Sequence, residues 1–173
     1  PLPSKSYDLI VKACSLGEPR ACLDGASGKT GEAAKVIFDQ ACDAGIMSAC
    51  IEPIVRDRET SAEVRIAQLE VLCDEALAVA CAELANIHSG RSILYNMRHP
   101  NPDKGLAVKF AQKACDLGAG NGCTLLGQMA THNRYDDRFD TFEKDIQKAV
   151  SHFQKGCDLG DANGCSSLAA SIQ

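Results

Sequence analysis

The sequence predicts an all-α protein, an α/α solenoid of five helical hairpins, each closed by its own disulfide. Three observations predict it. The ten cysteines fall as five pairs of identical C-x7-C spacing, at 14 and 22, 42 and 50, 73 and 81, 115 and 123, and 157 and 165. The first cysteines of successive pairs are 28, 31, 42 and 42 residues apart, scattering around the ~34-residue period of helical-hairpin repeats. The segments between the pairs carry apolar residues at helical spacing, and none reads as a strand.

The text around each pair repeats as well. Four of the five first cysteines are followed three residues later by glycine, at Gly17, Gly45, Gly118 and Gly160; the middle copy has Ala76. Glycine there is a helix-stop signal, because it enters the left-handed region without steric cost. A small residue precedes every second cysteine: Ala21, Ala49, Ala80, Gly122 and Gly164. In a continuous helix, residues eight apart lie about 12 Å apart, whereas a disulfide needs Cα atoms within about 7 Å. A chain reversal at the glycine brings the two sulfurs together, so each pair staples one αα-hairpin. On the chain-entropy model, a nine-residue loop contributes roughly 2.6 kcal/mol, less any strain. Buried thiols and a metal site are the competing readings. Zinc sites favour C-x2–4-C spacing, the redox C-x-x-C is absent, and the even count at fixed spacing favours bridges. Bridges imply an oxidising compartment.

The first helix of each hairpin is the amphipathic one. Over 61–75 its apolar set is Val64, Ile66, Ala67, Leu69, Val71 and Leu72. Over 103–117 it is Leu106, Ala107, Phe110, Ala111 and Ala114, and over 141–159 it is Phe142, Ile146, Ala149, Val150 and Phe153. Thr30, Ser61, Asp103 and Asp140 read as N-caps. The second helices are shorter, and three carry Leu followed by a small residue, at Leu84-Ala85, Leu126-Gly127 and Leu168-Ala169. Pro53 kinks or shortens the second helix of the second hairpin. The whole chain, 1–173, reads as one domain with ten helices. Its last hairpin has an outer side, including Leu168 and Ile172, that is exposed or used for self-association; the oligomeric state is left open.

The segment Ala114-Cys115-Asp116-Leu117-Gly118, with Cys123 and Leu126-Gly127, resembles the Sel1-like repeat, and in particular its cysteine-rich branch known from Helicobacter secreted proteins. The match is close in 103–130 and 144–170, fair in 61–88, and confined to the cysteines in 4–56. The resemblance implies a tetratricopeptide-like solenoid and a bacterial periplasmic or secreted home, with the mitochondrial intermembrane space as the eukaryotic alternative. It implies a non-enzymatic scaffold that binds a protein or peptide. It also carries two narrower readings, a periplasmic immunity or inhibitor protein against a secreted effector, and a β-lactam-binding protein or weak β-lactamase. The chain begins at Pro1 rather than Met and shows no leader, as expected of a mature or trimmed form.

Composition narrows the partners. The 173 residues are 45% apolar and 24% charged, an ordinary globular balance. A net charge of -5 argues against nucleic acid or an anionic membrane surface as the main partner. No apolar run approaches the ~18 residues of a spanning helix. With no Trp and 5% aromatics, a base-stacking platform is not expected. Gly28-Lys29-Thr30 lacks the second glycine and the strand of a P-loop. Lys29-Thr30-Gly31 spells one β-lactamase triad, but no Ser has Lys three residues later. His88, His99, His132 and His152 read as surface or helix-end residues, and Asp136, Asp137, Asp140, Glu143 and Asp145 as a solvated loop and helix start. No catalytic residue, metal ligand or cofactor is expected.

Two surfaces remain as candidates for the partner. One is a loop edge formed by the long connections 89–102 and 131–140, with Tyr95, Arg98, Tyr135 and Phe139. Aromatics and Arg dominate interface hot spots, and loops on rigid scaffolds carry function. The other is a stripe on the second helices, two and five residues past the second cysteine: Glu52 and Val55, Glu83 and Asn86, Leu125 and Gln128. The loop edge is preferred, extended by Glu83, Asn86 and Gln128.

Overall fold

Residues 4–16, 18–26, 32–90, 103–131 and 145–171 are described by a computed structural model of the chain. Among them are ten α-helices and one 3-10 helix, and no strand. The chain divides into two compact units, 1–60 and 61–173. The first holds α1 (Ser4–Ser15), α2 (Pro19–Ala26), α3 (Glu32–Asp43), the 3-10 helix Met47–Cys50 and α4 (Glu52–Arg56). The second holds α5 (Ala62–Asp74), α6 (Ala78–His88), α7 (Lys104–Asp116), α8 (Gly120–Ala130), α9 (Ile146–Asp158) and α10 (Ala162–Ser171).

All ten cysteines are bridged, each to the partner eight residues away, with Cα atoms 4.4–4.8 Å apart. The first cysteine of each pair is the penultimate residue of its helix. The turn that follows is a Schellman motif. The residue four past the first cysteine donates its N–H back to the carbonyl just before that cysteine, in Ile46→Ala41, Leu77→Leu72, Ala119→Ala114 and Asp161→Gly156, at 2.9–3.0 Å. The residue between adopts positive φ: Gly45 at 90°, Gly118 at 91°, Gly160 at 84°, and Ala76 at 67°. The small residue before the second cysteine is a steric requirement of the same turn. A Cβ on Gly122 would stand 2.6 Å from the Ala114 Cβ and 2.9 Å from the Cys115 nitrogen.

Helix starts follow their caps. Ser61 Oγ accepts from the Val64 N–H, and Asp103 Oδ1 from the Leu106 N–H. The last long first helix departs from expectation. It begins at Ile146, capped by Asp145, whose carboxylate accepts from the Lys148 N–H at 2.9 Å. The expected cap Asp140, with Thr30, lies outside the described residues. Pro53 acts as expected: α4 is five residues long with Pro in its first turn. Cys50 closes the 3-10 helix, whereas the other second cysteines lie within α-helices.

In the first unit a core of Cys14, Cys22, Ile37, Phe38, Ala41 and Ala49 lies between α1, α2, α3 and the 3-10 helix, and the Arg56 guanidinium stands 5.1 Å over the Phe38 ring. In the second, each helix packs on the next from α5 to α10, and α8 also touches α6 and α10. Glycines line the seam between α8 and α9. A Cβ on Gly127 of α8 would fall 2.5 Å from the Phe153 ring of α9, and one on Gly156 of α9 would strike the Thr124 hydroxyl of α8. Two apolar residues assigned to the core of α5 stand outside it: Val64 is 49% exposed and Val71 58%, while Ile66 and Leu69 are buried.

Candidate functional site

The second helices α6 and α8 present the described part of the candidate surface. Glu83 and Asn86 of α6 and Gln128 of α8 are all half-buried. Their spacing, three residues apart within α6 and at the same distance from the bridging cysteine in α6 and α8, puts Asn86 and Gln128 at equivalent positions on helices that touch. Two other members of the expected stripe do not face outward. Val55 is buried at 3% and Leu125 at 5%, because these positions serve the core where helices pack in series. Glu52 stays half-buried, in an i,i+4 ion pair with Arg56. Tyr95, Arg98, Tyr135 and Phe139, the proposed loop edge, lie outside the described residues.

A charged ladder runs along the first helices of the second unit. Lys113 of α7 donates to Asp74 of α5 at 2.8 Å, and Lys155 of α9 lies 3.4 Å from Asp116 of α7. Both pairs join the residue after one first cysteine to the residue two before the next, so they occupy one register. The hydrogen bond from Lys113, then its charge, holds the Asp74 carboxyl below its ordinary range. Asp116 is lowered first by a hydrogen bond from Gln112, with Lys155 adding to it. The repeated Lys-x-Cys-Asp at 113–116 and 155–158 was the sequence signal for this ladder. Its meaning depends on first helices running side by side.

His88 closes α6 as expected but is buried, not exposed, and its ring stacks on Phe110 of α7 at 5.5 Å between centroids. His152 of α9 is half-buried; burial lowers its pKa, and the charges of Lys148 and Lys155 lower it further. Arg65 of α5 is buried at 5%, which no pattern in the sequence announced. Among the described residues no group of three or more His, Cys, Asp or Glu could hold a metal ion, and no helix is long and apolar enough to cross a membrane. Five bridges point to an oxidising, extracytoplasmic compartment. No protein-family model matches the chain, and no curated protein matches it.

Proposed function

We propose that the chain is a non-enzymatic scaffold that binds a protein or peptide, built as a continuous Sel1-like solenoid and working in the periplasm or the secreted space. The observation that carries this reading is the serial contact of α6, α8 and α10, each also packed on its own bridged first helix. Stacked hairpins of this kind offer an extended, pre-organised surface, which lowers the ordering cost of binding a peptide. Half-buried Glu83, Asn86 and Gln128 supply polar groups on that surface. The loop edge with Tyr95, Arg98, Tyr135 and Phe139 supplies the aromatic and guanidinium anchors that hot spots favour.

The test is selection of peptides from a random displayed library on the folded, oxidised chain, followed by titration. Replacing Glu83, Asn86 and Gln128, or Tyr95, Arg98 and Tyr135, by Ala should each weaken binding by about 30-fold, the loss of one hot spot, with the melting temperature unchanged. A library that yields no binder, or affinity indifferent to both sets, would end this reading. Turnover of nitrocefin by the purified chain, absent from a mock preparation, would replace the scaffold with a β-lactam-hydrolysing enzyme.

A further inference from the structure

Charge is divided unequally between the two helices of each hairpin in the second unit. The first helices α5, α7 and α9 carry eleven Asp, Glu, Lys and Arg residues, four, four and three in turn, whereas the second helices α6, α8 and α10 carry Glu83 alone. The second helices hold amides instead. Asn86 of α6 and Gln128 of α8 are half-buried, and Asn121 of α8 is exposed. Asn86 and Gln128 each lie five residues past a bridged cysteine, on helices that touch. Asn121 precedes Gln128 by seven residues, two helical turns, so both stand on one face of α8. Leu125, between them, is buried, so the amides are what this stretch of α8 offers. No second helix holds Phe, Tyr or Trp.

We propose that this amide face holds an extended peptide by its main chain, a mode of recognition that rests on the scaffold reading above and specifies it. Charge complementarity names the occupant first. A peptide main chain is uncharged but strongly polar, as this face is, and an Asn or Gln amide offers a carbonyl and an NH2 together, the partners that an N–H and a C=O require. The spacing agrees. Packed helices lie about 8–10 Å apart. A chain in the polyproline II conformation rises about 3.1 Å per residue and returns to the same side every third residue, roughly 9 Å on, with no internal hydrogen bonds to compete. Asn86 and Gln128 would then meet main-chain groups three residues apart. A polyanion would find no Lys or Arg on these helices, and a sugar ring no aromatic face on which to stack.

The probe is the tightest peptide from the displayed library, resynthesised with single main-chain amides replaced by esters. Each ester removes one N–H donor and leaves every side chain in place. Esters at two positions three residues apart should each weaken binding about tenfold. On Asn86→Ala or Gln128→Ala the matching ester should cost about twofold or less, because the loss belongs to a pair and the double-mutant cycle isolates it. Unchanged circular dichroism melts establish that the variants fold. Esters that cost nothing, while alanine replacements along the peptide carry the affinity, would overturn main-chain recognition and leave the scaffold standing. Ester losses undiminished on both variants would do the same. Displacement of the peptide by cellohexaose would assign the face to a neutral glycan instead. A library that yields no binder would overturn the scaffold reading and this one together.

Discussion

Ala76 occupies a place that the four other hairpins give to glycine, and exchanging the two residues isolates one physical quantity. The backbone there has φ 67°, against 91° at Gly118. A left-handed conformation costs an L-residue about 1–2 kcal/mol. Glycine avoids that cost but loses more conformational freedom on folding, worth about 0.4–1 kcal/mol. Ala76→Gly should therefore stabilise the chain by about 0.5–1 kcal/mol. Gly118→Ala should destabilise it by a similar amount or somewhat more. Neither change is confounded by packing, because Ala76 is exposed and a Cβ at Gly118 meets nothing within 4 Å. Urea unfolding of the oxidised chain, followed by circular dichroism, measures both. At this length 1 kcal/mol corresponds to about 2–4 °C in melting temperature. If Ala76→Gly destabilises the chain, or Gly118→Ala leaves it unchanged, the turn is not held by its dihedral angle and the reasoning fails.

Four further outcomes follow from particular contacts. Gly127→Ala should cost about 2 kcal/mol, since its Cβ would press 2.5 Å from the buried Phe153 ring, and adding Phe153→Leu should return part of the loss in a thermal melt. His152 has its pKa lowered in the folded chain, so the unfolded chain takes up more protons below the ordinary value of about 6.5. Stability is then full above that pH and falls as pH drops toward the folded value, and His152→Gln should flatten that part of a stability-pH curve. Asp74 is likewise lowered by Lys113, so its contribution is present above about pH 4 and lost below, and Lys113→Ala should flatten the acid limb in low salt but change little in high salt. Under limited dithiothreitol with alkylation, Cys42–Cys50 and Cys157–Cys165, whose cysteines are half-buried, should be labelled before the fully buried Cys73–Cys81; peptide mass mapping reads the order.

The covalent and local parts of this fold were legible because they are written within a few residues. The C-x7-C pairs, the glycines at 45, 118 and 160 and the caps Ser61 and Asp103 each encode one short-range geometry, and each is found as expected. What escaped depends on how neighbouring hairpins abut. The stacking of His88 on Phe110 and the Lys113–Asp74 and Lys155–Asp116 pairs join residues at least 22 apart. A single-helix periodicity cannot separate Leu125, which packs inward, from Asn86 and Gln128, which stay half-buried on the same kind of helix. The cap at Asp145 was ambiguous for a different reason: two aspartates five apart both offer the same hydrogen bond, and only the start of the helix chooses between them.

The bridges also decide how the protein would respond to tension. An extended chain spans about 3.4 Å per residue, so the eight steps between paired cysteines could otherwise stretch to about 27 Å. Each bridge holds them below 5 Å, and five bridges together withhold roughly 110 Å of contour from a pulling force. The turns are thus inextensible, whereas the seams between hairpins are held by non-covalent contacts alone, the His88–Phe110 stack, the buried Phe153 ring against Gly127 and the exposed ion pairs among them. Under load the second unit would peel one hairpin at a time, with every turn still closed, and each detached hairpin would keep the bend from which its two helices can re-form.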